Sequence, residues 1–193
     1  MVNLSDVQGD CARTAKGFHL EKGLVHVYYG DGRGKTSIAL GTALRACGHG
    51  MRVKVVQLLK GISMLGECKV QDELAEFEVQ QFGTAAYIFN NKPGKNEKEK
   101  AEAGLAEAVS SLKSGEYDVV IIDEAIYALE FGIITLDELL KIVAQKPETV
   151  ELILTGGRNP PKEILDIADY VSHVVLEKHP YSKGISARKG IDF

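Results

Sequence analysis

At 193 residues, with 45% apolar and 26% charged residues, the chain is long enough for one domain with a substantial core and has the balance of an ordinary globular protein. A formal net charge of −4 without a basic block argues against nucleic acid as a partner, and no apolar run reaches the length of a membrane span. Three scattered cysteines, Cys11, Cys47 and Cys68, form no C-x-x-C pair, and Met1 to Asp10 lacks the apolar core of an export signal, so the expected compartment is reducing: the cytoplasm.

Residues 1–22 are polar and mixed and read as an arm, able to cap the site of a neighbouring subunit. Gly23 to Tyr29 reads as the first strand, and Thr36 to Cys47, rich in Ala and Leu, as a helix stopped by Gly48-His49-Gly50. Val53 to Leu58 is a β-branched run typical of a buried parallel strand. Lys60 to Asp72 reads as loop, Phe77 to Gln81 as a weaker strand, and Thr84 to Asn96 as loop carrying aromatics, Pro93 and Gly94. Glu97 to Ser114 has the period of an amphipathic surface helix.

Tyr117 to Glu124 is an apolar strand ending in two carboxylates. Leu136 to Ala144 is helical, with Thr135 as N-cap and Glu138 three residues on, a capping box. Glu151 to Thr155 is a strand running into Gly156-Gly157-Arg158, Pro160 and Pro161 open a helix to about Ala168, and Tyr170 to Leu176 is the last strand. Strands alternating with helices predict a single α/β unit over residues 23–193. Its sheet should be mostly parallel and covered by helices on both faces, and with the glycine-rich Gly30 to Ser37, ending in Gly-Lys-Thr-Ser, directly after the first strand the arrangement is P-loop NTPase-like.

The chemistry concentrates in Gly30-Asp31-Gly32-Arg33-Gly34-Lys35-Thr36-Ser37, placed between the first strand and the first helix. Glycines let successive N–H groups turn toward an anion, and the helix adds its positive end. Lys35 can reach phosphate oxygens, and the Thr36 hydroxyl suits Mg²⁺. The common G-x-x-x-x-G-K-[ST] spacing wants glycine at position 29, where this chain has Tyr29; the first glycine comes one residue late, at Gly30. Asp123 and Glu124 fit the strand-end acids that accompany such a loop, and a hard divalent ion needs only Thr36, one carboxylate, phosphates and water. A solvated acid pair at a helix start is the plainer alternative. Arg158 can take phosphate bidentately. Gln57 and Lys60 share the rim on which ligands of parallel sheets sit. His26, inside an apolar strand, reads as a satisfied core histidine, and Phe82, Tyr87 and Phe89 as an aromatic cluster open either to packing or to a flat apolar ligand.

From Lys22 to Phe193 the chain resembles the ATP:corrinoid adenosyltransferases of the CobA/CobO/BtuR type. The resemblance rests on the loop with its late glycine, on Val55-Val56-Gln57-Leu58-Leu59-Lys60-Gly61 and on Asp123-Glu124 with Tyr127. It rests also on the tail: Lys178-His179, Gly184, Ala187 and Gly190-Ile191-Asp192-Phe193. It implies transfer of the 5′-deoxyadenosyl group of ATP to Co(I) of a reduced corrinoid, with triphosphate leaving. It also implies a Mg²⁺ or Mn²⁺ requirement, a homodimer, and a flavoprotein or other reductase as electron donor. Carried over by position, Gly30 to Ser37 and Arg158 would hold the nucleotide, with Lys35, Thr36 and Glu124 catalytic. Thr36 and Glu124 would hold the metal with Asp123 in support, and Phe82, Tyr87, Phe89 and Lys60 would meet the corrinoid. Asp31 stands where many members have Asn, Gly156-Gly157-Arg158 carries one glycine more than the usual T-G-R, and the chain has no Trp. The rival readings are a small P-loop kinase or ATPase, which would yield ADP, and a non-catalytic nucleotide or corrinoid carrier.

Overall fold

The computed structural model describes residues 19–61, 65–84 and 94–192. Most of the expected arm, residues 1–18, and the aromatics Tyr87 and Phe89 lie outside the described residues. The element order is β1 (Val25–Tyr29), α1 (Lys35–Gly48), β2 (Val53–Leu58), α2 (Gly66–Val70), β3 (Phe77–Phe82), α3 (Lys95–Lys113), β4 (Val119–Asp123), α4 (Ala125–Glu130), α5 (Leu136–Ala144), β5 (Glu151–Thr155), α6 (Lys162–Asp166) and β6 (Tyr170–His173). The six strands form one sheet in the order β3-β2-β4-β5-β1-β6, and every pairing is parallel. The α/β prediction holds.

Side chains of a strand alternate between faces, so each buried strand feeds two cores. Val53, Val55, Val119, Ile121 and Ile153 meet Ala39, Ala43 and Ala46 of α1. Those alanines recur at helical spacing, and their small size lets α1 lie close to the sheet. Val56, Leu58, Val120, Ile122, Leu152 and Leu154 belong to the opposite core, with residues of α3, α4 and α5. On α3, Gly104 is required by close approach: a Cβ there would lie 2.5 Å from Leu58 Cδ2 and 2.9 Å from Phe82 Cβ. No described helix is long and apolar enough to cross a membrane.

The predicted capping box is formed: Glu138 N–H donates to Thr135 Oγ1 at 3.3 Å, and Thr135 N–H donates to Glu138 Oε2 at 2.7 Å. Two short helices depart from the expectation. α2 lies inside the stretch read as loop, and α4 begins directly after the acids, with no linker. The last strand ends at His173 rather than Leu176, because the chain leaves β1 at Tyr29 to pack against the glycine loop. The histidine reading is met: His26 lies between Tyr28 Oη, 2.8 Å from Nδ1, and the Glu151 carboxylate on Nε2.

Candidate active site

The late glycine has a steric cause. Tyr29 is still strand, in register with His173 and stacked on its ring at 4.6 Å. The chain turns one residue later, at Gly30, where φ is +122° and a Cβ would lie 2.1 Å from the Val174 carbonyl. Gly30 N–H donates to Gly157 O (2.9 Å) and Gly32 N–H to Val174 O (2.8 Å), so these two amides brace the loop against its neighbours. Gly34 starts α1 without a side-chain cap, and residues 34–37 line a cleft of about 1080 Å³. That leaves the helix end as the anion-facing part of the loop.

Lys35 Nζ donates to Gly30 O (2.7 Å) and Gly32 O (2.9 Å) and lies 5.7 Å from the centre of the Tyr127 ring. Burial lowers its pKa from the usual lysine value, against the opposing pull of Glu124 and Asp31. Asp31 turns away from the helix end and accepts the Leu176 N–H at 3.0 Å. Arg33 pairs with Asp192 at 2.7 Å, and Asp192 also accepts from Arg188 Nε at 3.0 Å, so the C-terminal segment folds back onto the loop.

Strand order brings the acids to the same rim. β5 lies between β1 and β4, and its last residue bridges the two motifs. Thr155 Oγ1 donates to Asp123 Oδ1 at 2.6 Å and accepts the Glu124 N–H at 3.1 Å. Thr36 Oγ1 donates to the same Asp123 oxygen at 2.9 Å. Asp123 Oδ2 receives Lys60 Nζ (2.6 Å) and Gln57 Nε2 (3.2 Å). Burial alone would raise the pKa of Asp123, which is fully buried; Lys60 and the hydroxyl donors outweigh it and hold the group below the usual carboxylate range.

Glu124 is the strained member of the pair. Its φ is +64°, and Leu59, just before Lys60, has φ +59°; among the described residues these are the two non-glycine positions with positive φ. Both sit at strand ends on this rim, where backbone strain accompanies function. Glu124 Oε2 is buried without a hydrogen-bond partner, and Oε1 lies 4.0 Å from Lys60 Nζ. Burial and then the neighbouring Asp123 push its pKa up to about 7. The extra glycine of Gly156-Gly157-Arg158 is explained here. A Cβ on Gly156 would lie 2.8 Å from Glu124 Oε2, and one on Gly157 would lie 2.2 Å from Ile126 Cγ2. Past that turn, the N–H groups of Arg158 and Asn159 both donate to Glu130 Oε1 at 2.5 Å, and Arg158 reaches the Tyr127 hydroxyl.

The sequence-derived set is therefore largely gathered. Gly32 to Ser37, Lys60, Glu124 and Arg158 line the one cleft, and Asp123 lies beneath it. Phe82 packs against the core under α3, and Lys60, expected toward the corrinoid, lies on Asp123. Thr155, Glu130 and Asp192 acquire roles that only their long-range partners reveal. A hard divalent cation fits this oxygen donor set, the Thr36 hydroxyl and the carboxylates of Asp123 and Glu124, one oxygen of Glu124 being buried without a partner; the Lys60 ammonium shows that the place between them accepts positive charge.

Comparison with known proteins agrees with the geometry. The family model described as ATP:corrinoid adenosyltransferase BtuR/CobO/CobP matches residues 21–193. A corrinoid adenosyltransferase of Escherichia coli strain K12 is 32% identical over 174 residues, covering 90% of this chain and 87% of the relative. The corrinoid adenosyltransferase CobA of Salmonella typhimurium strain LT2 is 33% identical over 181 residues, covering 90% and 87%. One from Pseudomonas aeruginosa is 32% identical over 173 residues, covering 90% and 85%. With the match running from before β1 to the last residue, the chain belongs to the ATP:corrinoid adenosyltransferase BtuR/CobO/CobP family.

Proposed function

We propose that this chain transfers the 5′-deoxyadenosyl group of ATP to the cobalt of a Co(I) corrinoid, with inorganic triphosphate as the leaving group. Family membership makes it an ATP-dependent corrinoid adenosyltransferase; the oxidation state and the leaving group are the finer reading. In that step the cobalt lone pair forms the Co–C bond, the C5′–O bond breaks, and its electron pair departs with the triphosphate. No general base is required. The observation that carries the reading is the meeting of Gly34 to Ser37 and Glu124 around one cleft, with Asp123 beneath it bonded to Thr36.

The residues divide the work as follows. The α1 N-terminus binds the polyphosphate, Lys35 exchanges its loop carbonyls for phosphate oxygens, and Arg158, lining the same cleft, adds a second positive group. Thr36 and Glu124, supported by Asp123, would hold Mg²⁺ or Mn²⁺, which when bound offsets charge on the leaving group. Orientation and exclusion of water are the remaining tasks of the protein. The corrinoid is assigned to the side of the cleft near the end of β3, with the aromatics that follow that strand, Tyr87 and Phe89, as its contacts. Residues 23–193 form the catalytic unit. We further assign a homodimer in which residues 1–22 reach a neighbour's cleft, a reductase that supplies the electron, and residence in the cytoplasm.

The test is anaerobic incubation of the protein with ATP, Mg²⁺ and chemically reduced cobalamin or cobinamide. The expected result is a light-sensitive Co–C product with one triphosphate released per corrinoid alkylated. Formation of ADP at a rate indifferent to corrinoid would overturn the proposal in favour of a kinase or ATPase.

A further inference from the structure

The reading that Thr36, Asp123 and Glu124 hold a divalent ion leads to a specific role for Lys60. Its ammonium occupies the space between those three residues: 3.3 Å from Thr36 Oγ1, 2.6 Å from Asp123 Oδ2 and 4.0 Å from Glu124 Oε1. A divalent ion using the same oxygens would sit where the ammonium now is, and two cations at that spacing repel. Lys60 is thus the resident cation of an acid pair that would otherwise place two carboxylates side by side in a buried setting.

The backbone around Lys60 is locked. Leu59 N–H donates to Phe82 O at 3.0 Å. Gly83 lies so close that a Cβ on it would fall 2.3 Å from Lys60 N, and one on Gly61 would fall 2.5 Å from Gly83 O. The loop therefore stays in place, and only the side chain is free to leave its position. That side chain is 22% exposed, and Lys60 lines the cleft that Lys35 and Arg158 also line.

We propose that Lys60 is an exchangeable counter-ion: it neutralises Asp123 and Glu124 in the metal-free protein, is displaced by the divalent ion, and then swings into the cleft to bind the triphosphate beside Lys35. Metal entry and grip on the leaving group are coupled through this one side chain. Lys60 becomes a nucleotide-binding residue only once the metal has taken its place.

The test uses the full-length protein and Mn²⁺, first without nucleotide. Free Mn²⁺ is followed by electron paramagnetic resonance during titration of wild type and Lys60→Met. The variant lacks the competing ammonium and is expected to bind Mn²⁺ at least tenfold more tightly. With saturating Mn²⁺, its affinity for ATP is expected to be at least tenfold weaker than wild type. Equal or weaker Mn²⁺ binding by the variant without nucleotide overturns the proposal. Should the variant not fold, wild type supplies the answer through acetylation of Lys60 by acetic anhydride, quantified by peptide mass spectrometry. Mn²⁺ alone should raise labelling several-fold and ATP should then suppress it; labelling unchanged by Mn²⁺ overturns the exchange. Neither assay contains corrinoid, so failure here leaves adenosyl transfer standing, and ADP formation in the transfer assay leaves this exchange standing.

Discussion

Thr155 Oγ1 lies 2.6 Å from Asp123 Oδ1 and fastens the end of β5 to the acid at the end of β4. The same oxygen accepts the N–H of Glu124, so one hydroxyl fixes both acids. Thr155→Val keeps the β-branched shape and removes the donor. A buried carboxylate deprived of one hydrogen bond costs about 1–3 kcal/mol. We expect Thr155→Val to lose that much in denaturant unfolding and to transfer adenosyl at least tenfold more slowly, with Thr155→Ser restoring most of both. Wild-type activity in Thr155→Val would remove the residue from the site.

Gly30 and Gly34 both have φ near +120°, yet their surroundings differ. A Cβ on Gly30 meets the Val174 carbonyl at 2.1 Å, whereas one on Gly34 meets nothing within 4 Å. Gly30→Ala therefore adds a backbone clash to backbone strain and should destabilise by roughly 3 kcal/mol or more; Gly34→Ala should cost about 1–2 kcal/mol. Thermal melts of the two variants give the ranking. A reversed order would show that the loop does not pack against the segment after β6.

Much of this architecture is legible in the sequence because it is local. The capping box needs only Thr135 and Glu138, and β2 declares itself by an apolar run interrupted by Lys54 and Gln57. α2 and α4, five and six residues long, are too short to show a helical period, and α4 starts inside the turn made by Glu124 in its left-handed conformation. The site divides the same way. Gly30 to Ser37 and Asp123-Glu124 are contiguous motifs, whereas Thr155 on Asp123, Asp192 on Arg33 and Glu130 on the Arg158 amide are contacts between distant segments. Such contacts exist only once strand order is known, and strand order follows from the packing of whole faces. The late glycine shows both sides: its position is visible in the chain, its reason only in the approach of Val174.

Lys35 donates to two loop carbonyls and feels Glu124 only at a distance, so its removal breaks no contacting ion pair. Lys35→Ala should melt within about 2 °C of wild type. If Lys35 stabilises the departing triphosphate, the rate should fall about 10²–10³-fold, in the range seen when one donor to a developing anion is removed. Single-turnover measurements at saturating ATP separate this from weaker binding. Near-normal turnover would contradict its assignment.

Glu124 should act on stability and activity with opposite signs. An unfolded glutamate titrates near 4.5, while burial and Asp123 raise the folded group to about 7. At pH below 4.5 the carboxyl is protonated in both states and costs nothing. Between 4.5 and 7 the unfolded chain ionises and the folded one does not, so stability falls as pH rises; above 7 the full cost is present and the curve flattens. Glu124→Gln is neutral throughout and escapes this cost. Metal-free Glu124→Gln should therefore melt close to wild type at pH 5 and several degrees higher at pH 8, for an upper figure of about 3 kcal/mol. The same variant should lose metal-supported transfer, because an amide is a poorer ligand for a hard cation than a carboxylate. A Gln variant less stable than wild type at pH 8 would mean that the carboxylate is better solvated than its unpartnered oxygen implies.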